Sequence, residues 1–263
     1  MSEAGNLIVT GARLNGETVG LKATGGIIEA IGPDVHAEHA ERPDLDAGGA
    51  WLCPPLVNAH THAAMTLFRG HGDDLPLMRW LQEAIWPVEA KLDEEDVYWG
   101  TRLACLEMIR SGTTSFWDMY WQPSGVARAV TDAGVRAVVG PPMISARSEK
   151  ERAKNDRELV TQLDALAGFG PRIDAAIAPH AIYTVDSTGL EFARDLASDR
   201  DLPIHIHLSE TRPEVDDCVD KYGMRPVFYL DSLGLLGERT VLAHGVFLDP
   251  DELDLIADRG ATV

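Results

Sequence analysis

Pro54-Pro55-Leu56-Val57-Asn58-Ala59-His60-Thr61-His62 is an apolar run that ends in two histidines one residue apart. In a strand, successive side chains alternate between faces, so His60 and His62 point the same way. Two imidazoles side by side at a strand's end are suited to gripping one metal ion. The pattern returns further along the chain. His180 closes Ala176-Ile177-Ala178-Pro179-His180, His207 closes His205-Ile206-His207 with Glu210 three residues on, and His244 closes Val241-Leu242-Ala243-His244. Parallel strands of a barrel deliver side chains from several strands to one mouth in this way.

The surrounding texture supports strands alternating with helices. Strands are expected at Leu52–Ala59, Thr113–Asp118, Ala137–Gly140, Ile173–Ala178, Pro203–Leu208, Thr240–Ala243 and Ala261–Val263. Helices are expected over Asp93–Arg110, where Asp93 can cap, acids crowd the first turn and Gly112 follows, and over 126–133, 149–166, 188–197 and 249–258. Repeated βα units imply a parallel sheet. The expected fold is therefore α/β, an incomplete TIM-type (β/α)8 barrel spanning residues 51–263 and cut before its eighth strand. A doubly wound open sheet is the alternative, but it binds mainly at one switch point and explains less well why histidines follow so many strands. The first fifty residues read differently. Short strands at 7–10, 18–23 and 27–31 surround the Gly25-Gly26 turn, and Asp34 to Asp46 reads as an acidic surface loop. His36 and His39 sit in that loop, which supplies neither further ligands nor a supporting shell.

No single histidine is diagnostic. His205 and His207 share a face, and His207 lies nearer the strand's C-terminal end, so His207 reads as the ligand and His205 as a hydrogen-bonded core residue one layer down. His180 and His244 each read equally well as core or site residues. Glu210 is a carboxylate placed to act on something held at a metal, or a solvated loop acid. His71 reads as loop surface. Asp118 ends a strand too, where an N-cap or an interstrand hydrogen bond explains it at least as well. The weight lies in the order: a histidine pair, a histidine, His-x-x-Glu and a histidine at strand ends one, four, five and six.

Composition limits the partners. The chain has 263 residues, 45% of them hydrophobic, and a net charge of -19 from 42 acidic and 23 basic side chains. A surface so acidic repels phosphate backbones, which argues against nucleic acid, and no basic tract suggests an anionic membrane. No apolar run approaches a span of about 20 residues. Cys53, Cys105 and Cys218 are odd in number and far apart, and Met1-Ser2-Glu3-Ala4-Gly5 has no basic, apolar leader. Together these imply a soluble, cytoplasmic protein in a reducing compartment.

The segments 58–66 (Asn-Ala-His-Thr-His-Ala-Ala-Met-Thr), 74–77, 86–90, 112–114, 205–210 and 243–245 resemble the amidohydrolase superfamily. Within it they are most similar to the 5-methylthioadenosine/S-adenosylhomocysteine deaminase-like subgroup, with the chlorohydrolase-like relatives close behind. The resemblance implies one divalent metal, zinc or iron, held by His60, His62 and His207. It implies that Glu210 moves a proton to the substrate ring, that His244 orients the attacking water, and that His180 contacts substrate. Glu89 would receive ribose hydroxyls, and Arg147 would meet a substrate carboxylate. The implied activity is hydrolytic deamination of an adenosine-type nucleoside. Other aminohydrolases of guanine, cytosine or triazines are alternatives, as are cyclic amidohydrolases. The last usually carry a carboxylated lysine where this chain has Ala178-Pro179-His180. The family's fourth ligand, an aspartate ending the eighth strand, and half of a small β-sandwich domain begun by residues 1–50 would lie beyond Val263. The sequence thus reads as a fragment, with an inactive metal-binding remnant as a further alternative and an exposed seam that invites self-association.

Overall fold

The computed structural model describes residues 5–263, so the reading of Met1 to Ala4 lies outside the described residues. The chain forms two compact units, Met1–Pro55 and Leu56–Val263.

In the first unit, β1 (Leu7–Leu14), β2 (Glu17–Thr24), β3 (Ile27–Gly32) and β4 (Leu45–Asp46) make a sheet in the order β3-β2-β1-β4. The β1–β2 and β2–β3 pairs are antiparallel, and β4 runs parallel to β1. The stretch expected as an acidic loop, Asp34 to Asp46, is instead largely ordered: Pro33–His39 is a helix and Leu45–Asp46 is β4. Pro33 presets the first helical turn and Asp34 complements its positive end. The helix seats against β2 because Gly20 has no Cβ, which would otherwise lie 2.7 Å from the backbone nitrogen of His36. His36 is thereby a packing residue: its Nδ1 accepts from the Gly11 N–H at 3.1 Å.

The second unit is a run of parallel strands with helices between them. Its strands are β5 (Leu56–Thr61), β6 (Thr113–Met119), β7 (Arg136–Gly140), β8 (Pro142–Met143), β9 (Ile173–Ala175), β10 (Ala178–Pro179), β11 (Ile204–Leu208) and β12 (Thr240–His244). Hydrogen bonding joins β5-β6-β7-β9, β8 to β10, and β11 to β12, all in parallel. Bridges from Ile177 to Ile204 and from Val241 to Thr262 carry the run onward. Neighbours in space are neighbours in sequence, with no reversal. That is the order of a (β/α) barrel rather than of a doubly wound sheet. Prolines 141 and 179 lack an N–H, and they fall where the third and fourth strands break or end. The expected strand at Ala261–Val263 is a single bridge at Thr262.

The crossover helices bury one face each. Glu94–Ser111 opens on a reciprocal capping box between Asp93 and Asp96 and closes on Gly112 at φ 86°. Val97, Ala104 and Cys105 pack with Phe116, Val126, Val130 and Val139 in one core cluster, while Ile177, Leu190, Ile206, Leu230 and Leu242 centre a second. Two further helices, Arg212–Tyr222 and Pro226–Ser232, follow β11. They lie beyond the helices expected from the sequence. Thr211 with Glu214, and Pro213 inside the first turn, was the start signal available there. No helix among the described residues is long and apolar enough to cross a membrane.

Candidate metal centre

His60 lies in β5 and His62 one residue past its end, and both rings turn to the same side. β11, further along the run, contributes His207 from its own C-terminal end, and a ligand nitrogen from each of the three lies within 4.8 Å of the others. Among the described residues this is the one group of three or more such side chains so placed. The rings are held edge to face: the His60 centroid is 4.9 Å from His62 and 4.8 Å from His207.

Each ring is oriented by its other nitrogen. His62 Nδ1 donates to the Met119 carbonyl at 2.6 Å, and His207 Nδ1 donates to the His180 carbonyl at 2.7 Å. His60 Nδ1 meets His205 Nε2 at 3.0 Å. A neutral imidazole that donates through Nδ1 has a bare lone pair on Nε2. The Nε2 atoms of His62 and His207 face each other at 3.2 Å, so two lone pairs converge where a cation would lie. Protonation would not relieve this cheaply. Burial, then the imidazoles of His62, His205, His244 and His180, hold His60 down at about 2. Burial likewise lowers His62 and carries His207 well below the usual range. Neutral, preoriented imidazoles suit a divalent cation such as zinc, and the donor set therefore fits one.

The rim carries the other expected residues. His244 stacks on His207 with centroids 5.3 Å apart and rings inclined by 19°. It sits at φ 78°, a left-handed conformation that a non-glycine residue adopts at a cost of order 1–3 kcal/mol. Ser209, one residue past β11, is left-handed too, at φ 50°. Gly245 N–H donates to the Leu208 carbonyl and Phe247 N–H to Ser209, so the two strained turns brace one another. Between them, Glu210 reaches within 3.7 Å of His244 Nε2. Burial raises the Glu210 carboxyl and lowers the His244 imidazole. The Glu210 backbone is itself held: buried Glu214 accepts from the Ser209 and Glu210 N–H groups, both at 2.8 Å. In the sequence alone, Glu214 at the third helical position is indistinguishable from an ordinary capping acid.

His180 lies 4.8 Å from the His207 ring and is fixed by Thr184 Oγ1 at 2.9 Å. Burial, then His62, takes it down to about 4. Thr184 also lines a concave surface with Trp86, Glu89, Trp121 and Ile144. Glu89 is half-buried there, and its carboxylate, after burial, pushes the Tyr120 phenol up. Arg147 precedes the helix Glu149–Leu166. It is exposed, and its backbone N–H donates to Glu151. Asp118 is wholly buried, accepts from the Ala63 N–H at 2.6 Å and so pins the turn that follows His62.

Parallel strands whose C-terminal ends converge histidines on one point define an α/β protein with a candidate metal centre at its strand ends. Residues 51–263 match the amidohydrolase family model, and the chain belongs to that family. It is 48% identical over 244 residues to a 5'-deoxyadenosine deaminase of Methanospirillum hungatei, covering 90% of this chain and 54% of that protein. It is 47% identical to a 5-methylthioadenosine/S-adenosylhomocysteine deaminase of Syntrophobacter fumaroxidans, covering 90% of this chain and 55% of that one. The chain thus spans about half the length of the curated relatives it matches. An adenosine deaminase from Xanthomonas campestris with bound zinc superposes with a TM-score of 0.85 at 38% identity, over 97% of this chain and 61% of that one.

Proposed function

We propose that the chain carries the metal centre of a hydrolytic deaminase acting on an adenosine-type nucleoside, such as S-adenosylhomocysteine, 5-methylthioadenosine or 5'-deoxyadenosine. The convergence of His60, His62 and His207 beside Glu210 is the observation that carries this reading. Relatives at 47–48% identity named for these activities support the substrate class.

His60, His62 and His207 would hold the cation, with zinc favoured by the all-imidazole set and by the zinc-bound neighbour. When bound, such a cation supplies the Lewis acidity that makes water a nucleophile near neutral pH. Glu210 keeps a raised affinity for its proton because it is partly desolvated. It is suited to passing that proton to the ring nitrogen beside the attacked carbon, a service worth about 10²–10⁴-fold. His244, its imidazole lowered by burial and 3.7 Å from Glu210, is suited to orienting the attacking water. His180, its Nδ1 engaged by Thr184, presents Nε2 to substrate. Glu89 accepts ribose hydroxyls, and Arg147 meets a distal carboxylate. Residues 1–50 serve as part of a small β-sandwich domain. The three cysteines are free, in keeping with a reducing, cytoplasmic setting.

Zinc content and ammonia release from S-adenosylhomocysteine, 5-methylthioadenosine, 5'-deoxyadenosine and guanine test the reading together. Release from the nucleosides above guanine is expected. Release from guanine alone would move the chain to another aminohydrolase class. Stoichiometric zinc with no release from any would leave a metal-binding protein without turnover.

A further inference from the structure

His62 and His207 are oriented by main-chain carbonyls, which have one way to bond. His60 is oriented by another side chain that has two. We propose that His205, outside the three-histidine group, is a positioning residue that fixes His60 for cation binding through the His60 Nδ1–His205 Nε2 hydrogen bond. The proposal rests on the metal-centre reading of His60, His62 and His207.

His205 lies on β11 two residues before His207, one layer deeper on the same face. It is fully buried, its ring stands edge-on to Trp117 at 5.5 Å, and its Nε2 is 3.0 Å from His60 Nδ1. Its own Nδ1 is buried with no hydrogen-bond partner. With Nδ1 engaged, Nε2 is the nitrogen that His60 has left for a cation.

Two proton arrangements satisfy the shared hydrogen bond. In one, His60 donates through Nδ1–H and its Nε2 is bare. In the other, His205 donates through Nε2–H, and a neutral His60 then carries its own proton on Nε2, where it blocks a cation. Because His205 Nδ1 has no partner in either arrangement, nothing at its far side selects between them. A bound cation selects the first, and His205 supplies the acceptor that this state requires. With its Nδ1 unpartnered, the ring's one hydrogen bond is the one to His60. Groups that orient metal-binding imidazoles typically change metal affinity by about 10–100-fold when removed.

The 263-residue chain itself serves for the test, with zinc as the probe in competition against a chromophoric chelator. His205→Leu is expected to weaken zinc by about 10–100-fold. His205→Gln, whose Oε1 can stand in for Nε2 as acceptor, is expected to recover most of that loss. In ¹⁵N spectra of the zinc-loaded wild type, His60 should be protonated at Nδ1 and metal-bound at Nε2. Wild-type zinc affinity in His205→Leu, or failure of a folded His205→Gln to recover, would overturn the proposal. If His205→Leu does not fold, the wild-type spectrum decides: zinc on Nδ1 of His60 overturns it. His60→Ala separates the two levels. Zinc retained by His60→Ala ends the metal centre itself, whereas zinc lost by His60→Ala but kept by His205→Leu ends the positioning role alone.

Discussion

His62 and His207 meet Nε2 to Nε2 at 3.2 Å, while each ring's Nδ1 is committed to a main-chain carbonyl. Two bare lone pairs at that distance repel unless something positive lies between them. Zinc is therefore expected to stabilise the fold. At a hundred times its Kd it would add about 2.7 kcal/mol. His62→Ala and His207→Ala should each abolish both stoichiometric zinc and the rise in Tm that zinc produces. Metal analysis and thermal melts with and without chelator check this, and unchanged zinc content in either variant would count against the centre.

Acid should destabilise the metal-free chain before it reaches the carboxylate range. His60 is held at about 2, His205 at about 3 and His180 at about 4, in each case by burial first. The unfolded chain takes up these protons near pH 6.5, and the folded chain does not. Stability is thus present above pH 6.5 and falls as pH drops through the window down to about 4, by about 1.4 kcal/mol per pH unit for each such histidine. Urea unfolding at pH 7 and pH 5 reads the slope, and His205→Gln should reduce it by one proton's share.

What could be read beforehand followed from local rules. Alternation put His60 with His62 and His205 with His207, and Asp93, Gly112 and the apolar faces marked the longest crossover helix. Registers between strands were beyond reach, because nothing in a single strand states its neighbour. So the distance from His62 to His207 and the pairing of His60 with His205 emerged only with the fold. The acidic stretch after Gly32 was misread because polarity suggested a loop. Its helix depends on a tertiary fact, the close approach that Gly20 permits. Glu214 was missed for a related reason. Its helical position looks like capping, yet its carboxylate turns back to the strand end before it.

Asp118 should show the opposite pH trend. Burial carries its carboxyl to about 7, with Oδ1 on the Ala63 N–H and Oδ2 without a partner. Between about pH 4 and pH 7 the unfolded chain has lost this proton and the folded chain keeps it. The group's contribution therefore worsens as pH rises. Asp118→Asn keeps an acceptor for Ala63 and cannot titrate. Relative to wild type it should gain about 1.4 kcal/mol per pH unit across that window. A gap that stays constant from pH 4 to pH 7 would mean that Asp118 is ionised throughout.

Glu214 should matter more than its distance from the rings suggests. Glu214→Ala leaves the Ser209 and Glu210 N–H groups without their acceptor, at about 1–3 kcal/mol each, in a turn where Ser209 already sits left-handed. Glu214→Gln retains one acceptor and should cost roughly half as much. Denaturant unfolding measures both. Equal stability of wild type and the alanine variant would show that water satisfies the turn instead.

Under the proposed function, Glu89 bears on which molecule enters the site. It lines the concave surface with Trp86, Trp121, Ile144 and Thr184, and Thr184 in turn fixes His180, 4.8 Å from the His207 ring. A carboxylate there can accept two hydroxyls of a ribose, and a bare purine has no such hydroxyls to offer it. Hydrogen bonds to a charged group contribute about 1.5–3 kcal/mol, so Glu89→Ala should weaken nucleoside binding by about 10–100-fold. Free adenine should bind almost unchanged. Calorimetric titration of the zinc-loaded chain with adenosine-type ligands and with adenine separates the cases. Equal losses for both would mean that Glu89 shapes the surface without touching sugar, and would remove Glu89 from the proposed nucleoside preference.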